Sequence, residues 1–146
     1  MSNQGAPVSL SGSGVLAPMR VAAGVIIFSG KVLLAQRGPG ARLALKWEFP
    51  GGKIEVGESV ESALAREIWE ELALRVEPVE ILGEFNHQYD WGEVTLIAVL
   101  AHAQDPAFVL KEHQEARWVE IAEIPNYDLA AADWPIVRAL QGLPRV

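Results

Sequence analysis

The chain has no cysteine among its 146 residues, which rules out disulfides and thiolate metal sites and fits a reducing cytoplasm. Positive charge is also scarce: twelve Lys and Arg against nineteen Asp and Glu give a formal net charge of -7. A surface of that sign does not hold long nucleic acid. It also repels a free polyphosphate, so an anionic partner would need metal ions and a few local basic groups. No apolar run approaches the roughly 18 residues of a membrane span. The first basic residue is Arg20, so the start lacks the charged region of a secretory signal. Half of the residues are hydrophobic, enough at this length for one domain with a sizeable core.

Residues 1–19 are rich in Ser, Gly and small residues and read as a flexible tail ahead of a domain over 20–146. Arg20 to Phe28 and Lys31 to Gln36 predict a hairpin around a Ser29-Gly30 turn. Arg37 opens a Gly-Pro-Gly loop, and Trp47-Glu48-Phe49 leads into the Pro50-Gly51-Gly52 turn. Two long strands are expected over Arg75 to Tyr89 and Glu93 to Ala101, with a turn near Asp90-Trp91-Gly92. A polar patch, Lys111 to Glu115, precedes a strand from Ala116 to Ile121, and Ile124-Pro125 breaks the pattern. Asp133 to Leu140 predicts a closing helix with Asp133 as N-cap and Pro135 in its first turn. Strands mixed with two helices point to an α/β sheet protein covered on both faces. Trp69 and Trp118 read as packing residues. His87, His102 and His113 have no metal-ligand spacing.

The most informative stretch is Val60 to Leu72, thirteen residues without Gly or Pro behind Ser59 as N-cap, which predicts a helix. Glu67, Glu70 and Glu71 stand at i, i+3 and i+4 and share a face roughly 120° from the Leu64, Ile68 and Leu72 stripe. Clustered like charges cost about 0.2–0.5 kcal/mol per pair, and partial burial raises that cost. Arg66 can pair with Glu70, but one guanidinium cannot neutralise three acids. A hard divalent cation such as Mg²⁺, which prefers oxygen ligands, fits the gap. Upstream, Gly51 and Gly52 let backbone approach a ligand, and Lys53 offers a point charge to a phosphate oxygen.

Gly52, five residues, Glu58, seven residues, then Arg66-Glu67-Ile68-Trp69-Glu70-Glu71-Leu72-Ala73-Leu74 closely resembles the signature of the Nudix hydrolases, G-x5-E-x7-R-E-U-x-E-E-x-G-U with U apolar. One position departs: Ala73 stands where the family usually has Gly, at the helix exit. That change costs about 1 kcal/mol if the position needs positive φ.

The resemblance implies an α/β/α sandwich around a mixed sheet and hydrolysis of a nucleoside diphosphate linked to another group with Mg²⁺ or Mn²⁺. Glu67, Glu70 and Glu71 would bind metal with the Gly51 carbonyl, and Arg66 would orient the carboxylates. Glu67 and, from the Lys111 to Glu115 loop, Glu112 are the candidate general bases. Glu112 is also a candidate metal ligand.

Beyond the signature, Arg37, Trp47 to Pro50, Glu112 with Gln114, Trp118, and Asp133 with Pro135 are similar to the MutT-like branch. Its members are nucleoside triphosphate pyrophosphohydrolases, releasing a nucleoside monophosphate and pyrophosphate. In that branch the base is held by groups corresponding to Arg37, Phe49 and Asp133. The branch often has Asn at the last of these, whereas an ionised Asp only accepts hydrogen bonds, which suits cytosine or an oxidised guanine such as 8-oxo-dGTP. The expected partner is a small nucleotide bound by a cytoplasmic monomer or homodimer. Rival expectations are another substrate class, such as ADP-ribose, a nucleotide sugar or a dinucleoside polyphosphate, or a ligand sensor without activity.

Overall fold

A computed structural model describes residues 17–142. The expected tail therefore lies, up to residue 16, outside the described residues. Met19 is already strand, paired with Val94.

The hairpin forms as its residues dictate. Strand β1, Met19–Phe28, and strand β2, Lys31–Gln36, meet at Phe28↔Lys31. Ser29 and Gly30 between them both have positive φ, 50° and 79°, as a two-residue type I′ connection requires. β2 leaves β1 after Ile27↔Val32, and its place beside β1 is taken by β4, Gly51–Lys53, in register Val21↔Lys53 to Ala23↔Gly51. Gly51-Gly52, expected only as a turn, is thus a short strand. It is held by tertiary pairing and by the Pro50 carbonyl accepting from the Gly24 amide at 2.7 Å, neither of which local propensity registers.

β3, Trp47–Glu48, and β7, Glu115–Val119, pair antiparallel with β2. β6, Gly92–Ala103, runs parallel to β1, and β5, Val76–Tyr89, pairs antiparallel with β6. β6 continues two residues beyond the expected Ala101 because Val76 and Glu77 pair with Ala103 and His102. β7 stops at Val119, since Ile121–Asn126 winds into a 3₁₀ segment.

Helices α1, Val60–Leu72, and α2, Trp134–Gln141, cover opposite faces of this mixed sheet. Alternation along β1 sends Ala22 and Ile26 toward Leu64, Ile68 and Leu72 of α1, and Ala23 and Val25 toward Ile136, Val137 and Leu140 of α2. Both faces are buried, which is why β1 reads as a continuous apolar run. Each fully buried Leu or Ile of α1 contributes about 1.5–3 kcal/mol. Among the described residues no helix is long and apolar enough to cross a membrane.

α1 matches its expected bounds, and the Ser59 hydroxyl accepts from the Ser62 amide at 3.0 Å. It ends at Ala73 in the left-handed region, φ 50°, ψ 38°. An L-residue there carries about 1–2 kcal/mol of strain, partly offset by the greater freedom glycine has when unfolded. Ala73→Gly is therefore expected to stabilise the fold by about 0.5–1 kcal/mol, readable as a higher urea midpoint at unchanged slope. A lower midpoint would mean the helix exit is not strained.

Trp69 corrects an expectation. It is 45% exposed rather than packed, with the Arg75 guanidinium 4.3 Å from its ring centroid. Trp118 does pack, 6.0 Å from Phe28 between ring centroids, and its Nε1 donates to the Pro106 carbonyl.

Candidate active site

The acidic face of α1 is not uniform. Arg66 lies within a ring of acceptors: its Nε and a terminal nitrogen donate to Glu58 at 2.6 and 3.0 Å, and the other terminal nitrogen donates to Glu67 and Glu70 at 3.1 Å each. The Lys53 carbonyl accepts a further bond from it at 3.1 Å. The expected Arg66–Glu70 pair is present, yet Glu58 holds the guanidinium most closely. A bidentate arrangement of this kind fixes a planar cation in one orientation. Glu70 faces outward, 55% exposed at its side chain, while Glu67 is 15% exposed.

Glu67 and Glu71 turn inward and hydrogen-bond to each other. Burial, then the hydrogen bond to Glu67, then the charges of Glu67, Glu48 and Glu112 push the Glu71 carboxyl up to about 10. Burial raises Glu67 as well, against the opposing pull of its hydrogen bond to Glu71 and of Arg66. Burial and mutual repulsion thus favour one proton shared by the pair over two ionised carboxylates.

This pair lines a cavity of about 360 Å³ together with Arg37, Phe49, Gly51, Lys53, Glu112 and Asp133. Every expected site residue except Arg66 and Glu70 thus lines one cavity, of a size suited to a small molecule. The elements explain the convergence. The divergence of β2 from β1 makes room for Phe49 to Lys53, and α1 lays Glu67 against β4 so closely that a Cβ on Gly52 would fall on the Glu67 carboxyl group. Val21, Ala23 and Leu96 add an apolar wall from the sheet.

Asp133 departs from expectation. It occupies the N-cap position, but its φ of -86° and ψ of -17° are helical and its side chain makes no capping bond. Its Oδ2 instead accepts from the Phe49 amide at 2.8 Å, eighty-four residues away in sequence. Burial above all, then the Glu48 charge, raise its pKa well above the ordinary carboxylate range, against the pull of the Phe49 amide and Arg37. The shift favours the protonated form, in which Asp133 offers one donor as well as acceptors.

Two groups that carry the cavity wall were not singled out by sequence reasoning. Glu48 accepts from Arg37 at 3.0 Å on one oxygen and pairs with His113 Nε2 at 3.0 Å on the other. Burial alone would raise its pKa, but the His113 bond and the Arg37 charge together hold it below the ordinary value. His113, read as an ordinary loop residue, is 7% exposed at its side chain and lines the cavity. An Arg-Glu-His chain spread over β3 and two loops leaves no periodic trace. The one available signal was an acid at Glu48 between Trp47 and Phe49, both buried.

A mixed sheet covered by two helices, with an Arg-pinned acidic helix facing a Gly-Gly strand across a small-molecule cavity, defines the class. The chain belongs to the Nudix family: the family model described as NUDIX domain matches residues 18–140. It is 36% identical over 129 residues to the CTP pyrophosphohydrolase of Escherichia coli, covering 86% of this chain and 93% of that protein. It is likewise 36% identical over 127 residues to a protein of Mycobacterium tuberculosis named putative 8-oxo-dGTP diphosphatase 2, covering 84% and 90%. In structure it is similar to a MutT Nudix hydrolase from Burkholderia pseudomallei, with a TM-score of 0.75 at 27% identity over 85% of this chain and 98% of that one.

Nudix hydrolases generally use divalent metal ions, and the residues here can be tested for that. Among the described residues no three acidic, His or Cys side chains converge on one point as they stand. Glu67 and Glu71 do converge as a pair. Glu71 Oε1 is buried without a hydrogen-bond partner, and two carboxylates share one proton where a doubly charged ion would leave both ionised. The donor set is all oxygen, which suits a hard cation. The residues fit.

Proposed function

We propose that this protein is an Mg²⁺- or Mn²⁺-dependent nucleoside triphosphate pyrophosphohydrolase, converting a nucleoside triphosphate and water to the monophosphate and pyrophosphate. Its preferred substrates are oxidised guanine nucleotides or CTP-type nucleotides, and its place is the cytoplasm. The observation that carries the reading is the single cavity lined both by the proton-sharing Glu67 and Glu71 and by the Phe49–Asp133 pair. The names of the relatives from Escherichia coli and Mycobacterium tuberculosis point the same way.

Glu67, Glu70, Glu71, Glu112 and the Gly51 carbonyl would hold the metal. When bound, such an ion offsets phosphate charge and lowers the pKa of a water to that of a usable nucleophile. Glu67, with Glu112 as the second candidate, takes the proton of the attacking water as a new P–O bond forms and the bond to the pyrophosphate group breaks. Arg66 keeps Glu67 and Glu70 in orientation, and Lys53 faces a phosphate oxygen. Arg37, Phe49 and Asp133 hold the base. Asp133 can accept from an amino group of the base, and the form with a proton can also donate to a carbonyl or ring nitrogen.

The test is chromatography of products after incubation with Mg²⁺ and a panel of ordinary triphosphates, 8-oxo-dGTP, modified CTPs, ADP-ribose and a dinucleoside polyphosphate. The expected result is monophosphate plus pyrophosphate from a subset of triphosphates. In Asp133→Asn the ratio between cytosine and oxidised-guanine substrates should shift by about tenfold, the size of one altered base contact of 1–3 kcal/mol. Equal turnover of all eight ordinary and deoxy triphosphates would remove the base-reading role. Cleavage of ADP-ribose or dinucleotides alone would move the substrate class.

A further inference from the structure

The segment between β6 and β7, residues 104–114, carries Glu112 to the cavity without regular secondary structure of its own. A general base or metal ligand on such a segment is useful only if the chain is held to well within an ångström. Four bonds hold its backbone from outside the cavity: Gln104 N to Arg75 O at 3.4 Å, Val109 N to Leu72 O at 2.8 Å, Trp118 Nε1 to Pro106 O at 3.0 Å, and Gln114 N to Gln36 O at 2.8 Å. On the cavity side, beside Glu112 itself, the fastening is His113 to Glu48.

Glu48 is an acceptor only, so the imidazole donates from Nε2. The other ring nitrogen, Nδ1, is buried with no hydrogen-bond partner, so the single bond to Glu48 carries the polar fixation of this side chain. The second Glu48 oxygen is occupied by Arg37, whose Nε donates in turn to the Arg42 carbonyl at 2.6 Å. One carboxylate on β3 thereby ties the Glu112 segment to the loop that begins at Arg37. It stands within electrostatic reach of both Glu71 and Asp133.

We infer that His113 is a positioning residue that sets Glu112 through Glu48, and that Glu48 is the shared strut joining the reacting groups to the base-holding Arg37. This rests on the functional reading above. The two arms of the strut should separate in kinetics. His113→Ala frees the Glu112 segment alone, so kcat falls about 10- to 100-fold, the usual size for losing a group that supports an active-site ligand, while KM for the nucleotide stays within about twofold. Glu48→Gln cannot accept from two donors at once without turning its amide NH₂ toward one of them, so it lowers kcat and raises KM together. His113→Gln, which keeps a donor near the Nε2 position, restores most of the loss.

The experiment is steady-state kinetics on wild type, His113→Ala, His113→Gln and Glu48→Gln, with Glu112→Gln as reference. Amide hydrogen exchange of each protein is measured without metal or nucleotide. Faster exchange confined to residues 107–114 in His113→Ala, reversed in His113→Gln, is expected. Unchanged exchange there overturns the inference, as does a KM effect in His113→Ala equal to that in Glu48→Gln. If wild type hydrolyses no nucleotide, the functional reading fails, and the exchange data alone still decide whether His113 fastens the segment.

Discussion

Gly52→Ala is expected to lower kcat by about 10²-fold or more while leaving the melting temperature near that of wild type. The new Cβ would fall on the Cδ and Oε1 of Glu67 and lie 2.6 Å from its Cγ. The clash is with the mobile end of a side chain, so the fold can yield by swinging that carboxylate away. The same swing removes it from Glu71 and from Arg66. Gly51 supplies the contrast one residue earlier. A Cβ there would run into the Ala22 carbonyl, which is backbone fixed in β1 and cannot move alone. Gly51→Ala should therefore cost stability first, with a clearly lower melting temperature, and Gly52→Ala activity first. Kinetics and thermal melts on both variants check the pair of expectations. Full activity in Gly52→Ala would mean that Glu67 is not needed where it stands.

That contrast marks the boundary of what could be read from the chain. Rules that act within a few residues were legible: the Ser29-Gly30 turn, the Ser59 cap and the extent of α1. The acidic face was legible as well, because its cost shows in helical spacing alone. Spacing could not show that Glu70 turns outward while Glu67 and Glu71 share a proton. That difference is made by β4 lying against α1, and β4 itself is strand only through pairing with β1.

Asp133 shows the same limit from the other side. A helix start beginning with Asp and followed by Pro is rightly read as a capped terminus on local grounds. Here the carboxylate is taken by the Phe49 amide, whose own partner in a regular ladder is lost where β3 ends. A long-range bond to an otherwise orphaned amide outcompetes a local cap worth about 1 kcal/mol. Glu48 and His113 were hidden for a related reason: their chemistry depends on three segments meeting, and each residue alone looks like an ordinary strand or loop polar group.

Glu71→Gln should make the metal-free protein more stable at pH 8 and nearly abolish its activity. Glu71 has its folded pKa near 10 against an ordinary value of 4.5, so between those values the folded state binds more protons than the unfolded state. Stability of the metal-free wild type therefore falls as pH rises through that window, with a slope of at most about 1.4 kcal/mol per pH unit for one proton. Glutamine cannot titrate, and its amide can still donate to Glu67, so the slope should flatten and the variant should overtake wild type toward alkaline pH. Added Mg²⁺ should act on wild type in the opposite sense, stabilising it more as pH rises, because binding displaces the shared proton. In Glu71→Gln that gain should shrink, and turnover should drop by about 10³-fold, the size expected when several kcal/mol of charge stabilisation in the transition state is lost. Urea unfolding between pH 5 and 9, with chelator and with Mg²⁺, measures the stability half, and kcat the other. A flat profile for chelated wild type would mean that the Glu67–Glu71 proton does not exist. A variant less stable than wild type at pH 8 would mean that the pair is held for the fold rather than for the metal.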